Sequence, residues 1–251
     1  MITVSIITVC LNAEDTIERT IESVLKQTYE NIEYIIVDGN SEDRTAEIIE
    51  SYESGINTYI RESDEGVYHA MNKAISVASG DIVYFLNADD EFVDEKVLSD
   101  VVRVFNVNAE ITLVYGNIIW RRGDATWTSI QPSSISREYL ARTTLLHQSA
   151  FVRRELFSEI GMYKSDYKVV ADYRWFLEYF MNYEPHYSHI DRIIAIVGTE
   201  GLSHSEKWES ERIDAMRSVF SWWEIMRYRM IPRYMRQIFH TLKIVKRWTG
   251  G

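Results

Sequence analysis

Residues 2–52 read ITVSIITVCLNAEDTIERTIESVLKQTYENIEYIIVDGNSEDRTAEIIESY. Residues 2–11 form a near-continuous β-branched run, as expected of a strand buried on both faces of a parallel sheet. Asn12 offers an N-cap and Asp15 sits favourably in a first helical turn. Ile17, Ile21, Val24 and Leu25 then recur on one helical face. IEYIIV at 32–37 reads as a second strand, DGNSED as a loop, and 44–52 as a second helix. Working outward, 58–61 reads as a short strand. A helix over 67–78 buries Met71, Ala74, Ile75 and Ala78 and is stopped by Gly80, and DIVYFL at 81–86 is another buried strand. Strands alternating with helices predict an α/β fold: a Rossmann-like, mostly parallel central sheet flanked by helices, with right-handed crossovers.

Such sheets bind ligands outside the carboxyl ends of their strands. That rim is acidic here: the second strand runs into Asp38, the third into Asp64-Glu65-Gly66, and DIVYFL into Asn87-Ala88-Asp89-Asp90. Neither GxxxxGK[ST] nor a GxGxxG after the first strand is present, so the common phosphate cradles are absent from the sequence. Carboxylates repel phosphate unless a divalent cation intervenes. Mg2+ or Mn2+ suits this rim, because each takes one or two carboxylates and fills its shell with water and phosphate oxygens. Asp89 and Asp90 are the candidate pair; the alternative for them is a solvated turn.

In the second half, 111–120 and 147–152 read as strands and 154–161 and 171–182 as helices. No Pro-, Gly- or Ser-rich linker marks a boundary, so this half is expected to elaborate the same sheet. The expected organisation is one domain over 1–220, with a nucleotide-binding half at about 1–110 and an acceptor half at about 111–220, followed by a tail over 221–251.

The 251 residues suffice for one large α/β domain with a small appendage. Eleven glycines and three prolines are about half the usual share, and 46% hydrophobic residues sit near the globular norm, which excludes collagen-like and disordered classes. The single cysteine, Cys10, lies in an apolar run and reads as a buried, inert thiol. The start lacks the positive region of a signal peptide, and no apolar run reaches the roughly 18–20 residues needed to span a bilayer. The expected location is cytoplasmic. The net charge of −11 argues against nucleic acid as a partner, but it is uneven. From Ser221 onward seven Arg or Lys face only Glu224, a net of +6, which leaves −17 on the first 220 residues.

The segments VSIITVCLNAEDTIERTIESVLKQTYENIEYIIVDGNSEDRT, DEGVYHAMNKAISVASGDIVYFLNADD and LLHQSAFVRRELFSEIGMYKSDYKVVADYRWFL together resemble family 2 of the inverting nucleotide-sugar glycosyltransferases, with the GT-A fold. The resemblance covers roughly residues 2–182. It implies that Asp38 accepts a hydrogen bond from the nucleotide base, beside backbone around Val9 and Asn12. It further implies that Asp89 approaches the ribose or metal and that Asp90 is the main metal ligand. Many members carry Asp where this chain has Asn87, which can still bond a sugar hydroxyl. Asn72 and Lys73, with Glu65 and Gly66, match the loop and helix beneath the diphosphate and sugar; a solvent-facing lysine is the ordinary alternative for Lys73.

Inverting transfer needs an acceptor hydroxyl to lose its proton as it attacks the anomeric carbon, for which one positioned carboxylate suffices. Asp172 matches the family's catalytic base, although N-terminal helix capping is its alternative role. Ala171 stands where many relatives have Glu. His147 and Gln148 match a segment near the donor sugar or acceptor, and His204 a loop over the diphosphate. His186 and His189 lack a third placed ligand and read as loop and strand-edge residues rather than a metal pair.

Residues 222–248 combine aromatics with Arg and Lys, and Ile231, Met235, Ile238, Leu242 and Val245 recur at helical spacing. This predicts a C-terminal amphipathic helix, opening near Pro232. It either lies on an anionic membrane surface, making the protein peripheral on the inner face of the cytoplasmic membrane, or packs on the domain. The expected activity is metal-dependent, inverting transfer from a nucleotide-sugar, most simply a UDP-sugar, to a glycan or polyprenyl-linked acceptor in cell-surface polysaccharide synthesis. A non-catalytic scaffold on the same fold and a nucleotidyltransferase are the alternatives.

Overall fold

The computed structural model describes residues 1–199 and 208–229. The first elements are β1 (Val4–Cys10), α1 (Ile17–Leu25), β2 (Ile32–Asp38), α2 (Thr45–Ser51), β3 (Thr58–Arg61), α3 (Val67–Val77), β4 (Ile82–Phe85), β5 (Glu91–Phe92) and α4 (Val97–Val107). They are followed by β6 (Leu113–Arg122), β7 (Ala125–Ser129), α5 (Arg137–Arg142), β8 (Ala150–Arg153), α6 (Leu156–Glu159), α7 (Ala171–Asn182), β9 (Tyr187–Gly198), α8 (Trp208–Arg217) and α9 (Trp222–Arg229).

The nine strands among the described residues join one sheet in the order β3-β2-β1-β4-β8-β6-β9-β5, with β7 on β6. The sheet is mixed. From β3 to β4 every pairing is parallel, β8 runs antiparallel to both β4 and β6, β9 returns parallel to β6, and β5 is antiparallel to β9. Every residue of β1 is buried because each face of the sheet is covered. Ile7, Val9, Ile35 and Val37 pack with Met71 and Ala74 of α3 and with Phe176 of α7. Ile6, Tyr34 and Ile36 point the other way, into a core with Ile17 and Ile21 of α1 and Val101 and Phe105 of α4. This is the period-two alternation of a strand applied to a sheet with two dry faces.

Several local expectations move. Asn12 caps no helix: α1 starts five residues later, behind Thr16. Asn12 instead adopts a left-handed φ of 51° while its Oδ1 accepts the Glu42 N–H and its N–H donates to Ser41 Oγ. Its amide chemistry therefore ties the β1–α1 loop to the β2–α2 loop, a long-range use that local spacing does not disclose. The strand expected from 147 begins at Ala150, because His147–Ser149 close a 3-10 turn. The helix expected over 154–161 shortens to α6. Two further elements complete the fold: the helical run of Val97, Leu98, Val101, Val102 and Phe105 forms α4, and β9 is a long strand.

Among the described residues no helix is long and apolar enough to cross a membrane. Helix α9, the start of the expected basic helix, packs on the domain. Arg137 binds Glu224, whose carboxyl this guanidinium and Ser221 hold down to about 2. Ile225 and Tyr228 rest against the core, whereas Trp222 and Trp223 stand 59% and 76% exposed. Helix α9 spans Trp222–Arg229, and the helix opening expected near Pro232 lies outside the described residues. Residues 230–248, like His204, lie outside the described residues.

Candidate active site

Parallel register gathers the strand ends on one rim: Cys10 pairs with Asp38, and Asp38 with Arg61. Asp38 is fully buried. Its Oδ1 accepts both the N–H and the hydroxyl of Ser41, at 2.9 and 2.5 Å, while Oδ2 faces Tyr59 Oη at 3.3 Å and Arg61 Nε at 3.5 Å. A base entering here would have to exchange with Tyr59 or Arg61, whose contacts are the longer ones. Val9 belongs to the core. Burial and the neighbouring carboxylates push the Cys10 thiol up, in keeping with an inert cysteine.

The segment after β4 divides its acids. Asp90 is 1% exposed; its Oδ1 accepts the Gly198 N–H at 3.0 Å, its carbonyl accepts the Thr20 hydroxyl, and its Oδ2 has no partner. Burial, then the charge of Asp89, pushes the Asp90 carboxyl well above the ordinary range. Asp89 is partly exposed and is shifted up by burial, against the pull of Arg19 and Arg121. Both arginines also engage Glu91. Gly198 makes room for this arrangement, since a Cβ there would fall 2.5 Å from Asp89 Oδ2. The resemblance made Asp90 the main metal ligand; the structure sinks Asp90 beneath the surface and leaves Asp89 the more accessible carboxylate.

A divalent cation fits this donor set. The carboxylates are hard oxygen ligands, and the unpartnered, buried Oδ2 of Asp90 is what a protein lacking a counter-charge avoids. Among the described residues no three His, Cys, Asp or Glu converge as a complete cage, so further ligands would have to come from water or a bound diphosphate.

Asp172 lies in the first turn of α7, behind Val170 rather than at the cap. Its Oδ2 is 2.8 Å from His147 Nδ1 and its Oδ1 is 2.8 Å from the Tyr68 hydroxyl, which also reaches the Val169 carbonyl and has one hydrogen for the two. Burial alone would raise this carboxyl, but the His147 and Tyr68 bonds outweigh it and hold Asp172 below the usual carboxylate range. His147 Nε2 in turn meets Asn87 Nδ2 at 3.3 Å. The chain Tyr68–Asp172–His147–Asn87 therefore joins the candidate base to the segment that carries Asp89 and Asp90.

Other expected contacts are taken up inside the fold. Both amide atoms of Asn72 bind the backbone of Tyr163, and Lys73 binds Glu62 and the Ser63 carbonyl, so these two brace loops. Gly66, at φ 131°, opens α3, and the carbonyl of Glu65 accepts from Lys168. Gln148 is anchored by its carbonyl to the Tyr84 hydroxyl. Sequence reasoning missed Tyr68 and Glu211. The latter holds the N–H groups of Lys168 and Val169 just before α7. Tyr68 sits within the recognised motif and Glu211 within a charged helix, and neither pattern announces a partner 40 or more residues away.

Comparison with known proteins places this geometry in a family. The profile described as Glycosyl transferase family 2 matches residues 5–161. The PGL/p-HBAD biosynthesis glycosyltransferase of Mycobacterium bovis (strain BCG / Pasteur 1173P2) is 32% identical over 181 residues, 71% of this chain and 70% of that protein. The chain belongs to glycosyltransferase family 2. Its fold is shared with S. aureus TarS 1–349 in complex with UDP-GlcNAc, at a TM-score of 0.69 and 18% identity over 86% of this chain and 65% of that fragment. It is shared too with glucosyl-3-phosphoglycerate synthase of Mycobacterium tuberculosis in complex with Mn2+, UDP and phosphoglyceric acid, at a TM-score of 0.63 and 18% identity over 86% of this chain and 78% of the other. The mixed α/β sheet is the GT-A fold, and family membership sets aside the nucleotidyltransferase alternative.

Proposed function

We propose that the protein is a metal-dependent, inverting glycosyltransferase that moves a sugar from a UDP-sugar to a hydroxyl of a glycan or polyprenyl-linked acceptor. The observation that carries this reading is the hydrogen-bonded link from Asn87 through His147 to Asp172, which ties an ionised carboxylate to the rim of Asp89 and Asp90. The UDP-GlcNAc bound by TarS and the UDP and Mn2+ bound by the synthase support the donor and metal classes.

In this mechanism the nucleotide lies over the ends of β1 and β2, against Asp38 and the loop at Asn12. Asp89, with Asp90 beneath it, would hold Mg2+ or Mn2+, which when bound supplies positive charge that eases departure of the diphosphate. Asn87 Oδ1, buried and without a partner, accepts from a hydroxyl of the donor. Asp172 takes the acceptor's hydroxyl proton as the new oxygen–carbon bond forms at the anomeric centre; the bond to the diphosphate breaks with its electron pair leaving on the diphosphate oxygen. Tyr68, kept protonated by burial and by Asp172, orients the carboxylate without competing for that proton.

The exposed Trp222 and Trp223, ahead of a run of basic residues, suit contact of the tail with an anionic membrane surface on the cytoplasmic side, while α9 itself stays docked through Glu224. A thermal-shift screen of UDP-sugars with Mn2+ tests the donor assignment: a ligand at 100 times its Kd stabilises by about 2.7 kcal/mol. Absence of any shift across the panel, for folded protein, would sink it.

A further inference from the structure

We propose that Asn87 fixes His147 as the neutral tautomer protonated on Nδ1, and that His147 so fixed is the positioning residue of Asp172. The inference rests on Asp172 being the base of the proposed transfer.

With the Asn87 amide placed so that Nδ2 faces the ring, the hydrogen bonds have one polarity; the amide turned over would present Oδ1 to Nε2 and call for a hydrogen there as well. An amide nitrogen carries hydrogens and no accepting lone pair, so Asn87 Nδ2 can approach His147 Nε2 only as donor, which requires Nε2 to be bare. An ionised carboxylate accepts and cannot donate, so Asp172 Oδ2 requires a hydrogen on Nδ1. The two ends of the ring, read independently, demand the same tautomer, and a neutral imidazole satisfies both. The ring has little freedom to choose otherwise: its side chain is 12% exposed and stands edge-on to Phe85 at 6.5 Å and 84°. Asp172 then receives Tyr68 on one oxygen and His147 on the other, with a further bond from the Tyr173 backbone.

This gives a physical reason for asparagine at position 87. A carboxylate there would offer Nε2 an acceptor and draw a second proton onto the ring, leaving an imidazolium between two acids. An imidazolium grips Asp172 more tightly than a neutral ring and lowers its readiness to take a proton. Asparagine avoids that charge. By turning Nδ2 to the histidine it also turns Oδ1 away, which accounts for that oxygen having no partner.

The test is side-chain 15N NMR of the full chain labelled at histidine, with the His147 signal identified by its loss in His147→Gln. The expected wild-type spectrum shows a protonated Nδ1 and a bare Nε2. Asn87→Asp should give a doubly protonated or Nε2-protonated ring and lower kcat by about tenfold or more. His147→Asn, which keeps a donor at the Nδ1 position, should retain more kcat than His147→Gln, which reaches only toward Asn87. An Nε2-protonated wild-type ring, an unchanged ring in Asn87→Asp, or equal loss in the two His147 variants would overturn the assignment. The spectrum needs no substrate, so failure to find any transfer refutes the proposed function while leaving the tautomer result readable on its own.

Discussion

Asp90 and Asp172 are buried carboxylates, 1% and 9% exposed, that meet one rim from different elements, yet their surroundings drive them in opposite directions. Asp172 has a donor on each oxygen and is held below the usual carboxylate range; Asp90 has one oxygen without a partner beside a like charge and is pushed far above it. Equal burial therefore does not mean equal chemistry. A carboxylate with its donors in place is finished and ready to act, while one lacking them waits for charge supplied from outside.

The comparison can be broken most sharply at the base. Asp172→Asn should keep donor binding, read by calorimetry, and lose about 10² to 10⁴ in turnover; unchanged transfer would remove Asp172 from that role. Next in size is the rim. Asp89→Ala should abolish metal-dependent nucleotide binding, and equal affinity with and without metal in the wild type would count against a cation there. Asp90→Asn should raise the stability of metal-free protein by about 1–3 kcal/mol, because it removes a buried, half-satisfied acid; a lower melting temperature would mean that Asp90 is already compensated. Gly198→Ala should cost about 1–3 kcal/mol through collision with Asp89 and weaken metal binding with it.

The smallest effect is in pH. Asp172 has a folded-state pKa below its unfolded value of 3.8, so its contribution is fully present above that value and disappears as pH falls through the folded value. Urea titrations from pH 6 down to pH 2 should show part of the acid-induced loss of stability missing in Asp172→Asn. Identical slopes for the two proteins would contradict the hydrogen-bonded carboxylate.

The first half of the fold was readable because its central strands are dry on both faces and its helices recur at regular spacing, from Val4 to Phe85. The rim acids were readable for the same reason, since each follows a strand. The second half was harder. His147 could be matched to a motif but not to Asp172, and Tyr68 and Asn87 could not be joined to either, because contacts spanning 25, 104 and 60 residues leave no local signal. Asn12 shows the converse failure: a good local cap former was drawn into bonds with residues 41 and 42 instead.

Strand β8 runs against β4, pairing Arg153 with Ile82 and Val152 with Val83. Its entry, rather than its exit, therefore faces the exit of β4, and His147 stands just ahead of it across from Asn87. The separation between the two halves of the chemistry is set by two adjacent backbones and not by the connection over 130–146. That connection, which carries α5 and buries Leu140, Ala141 and Leu145, serves the core rather than the spacing of the chemistry.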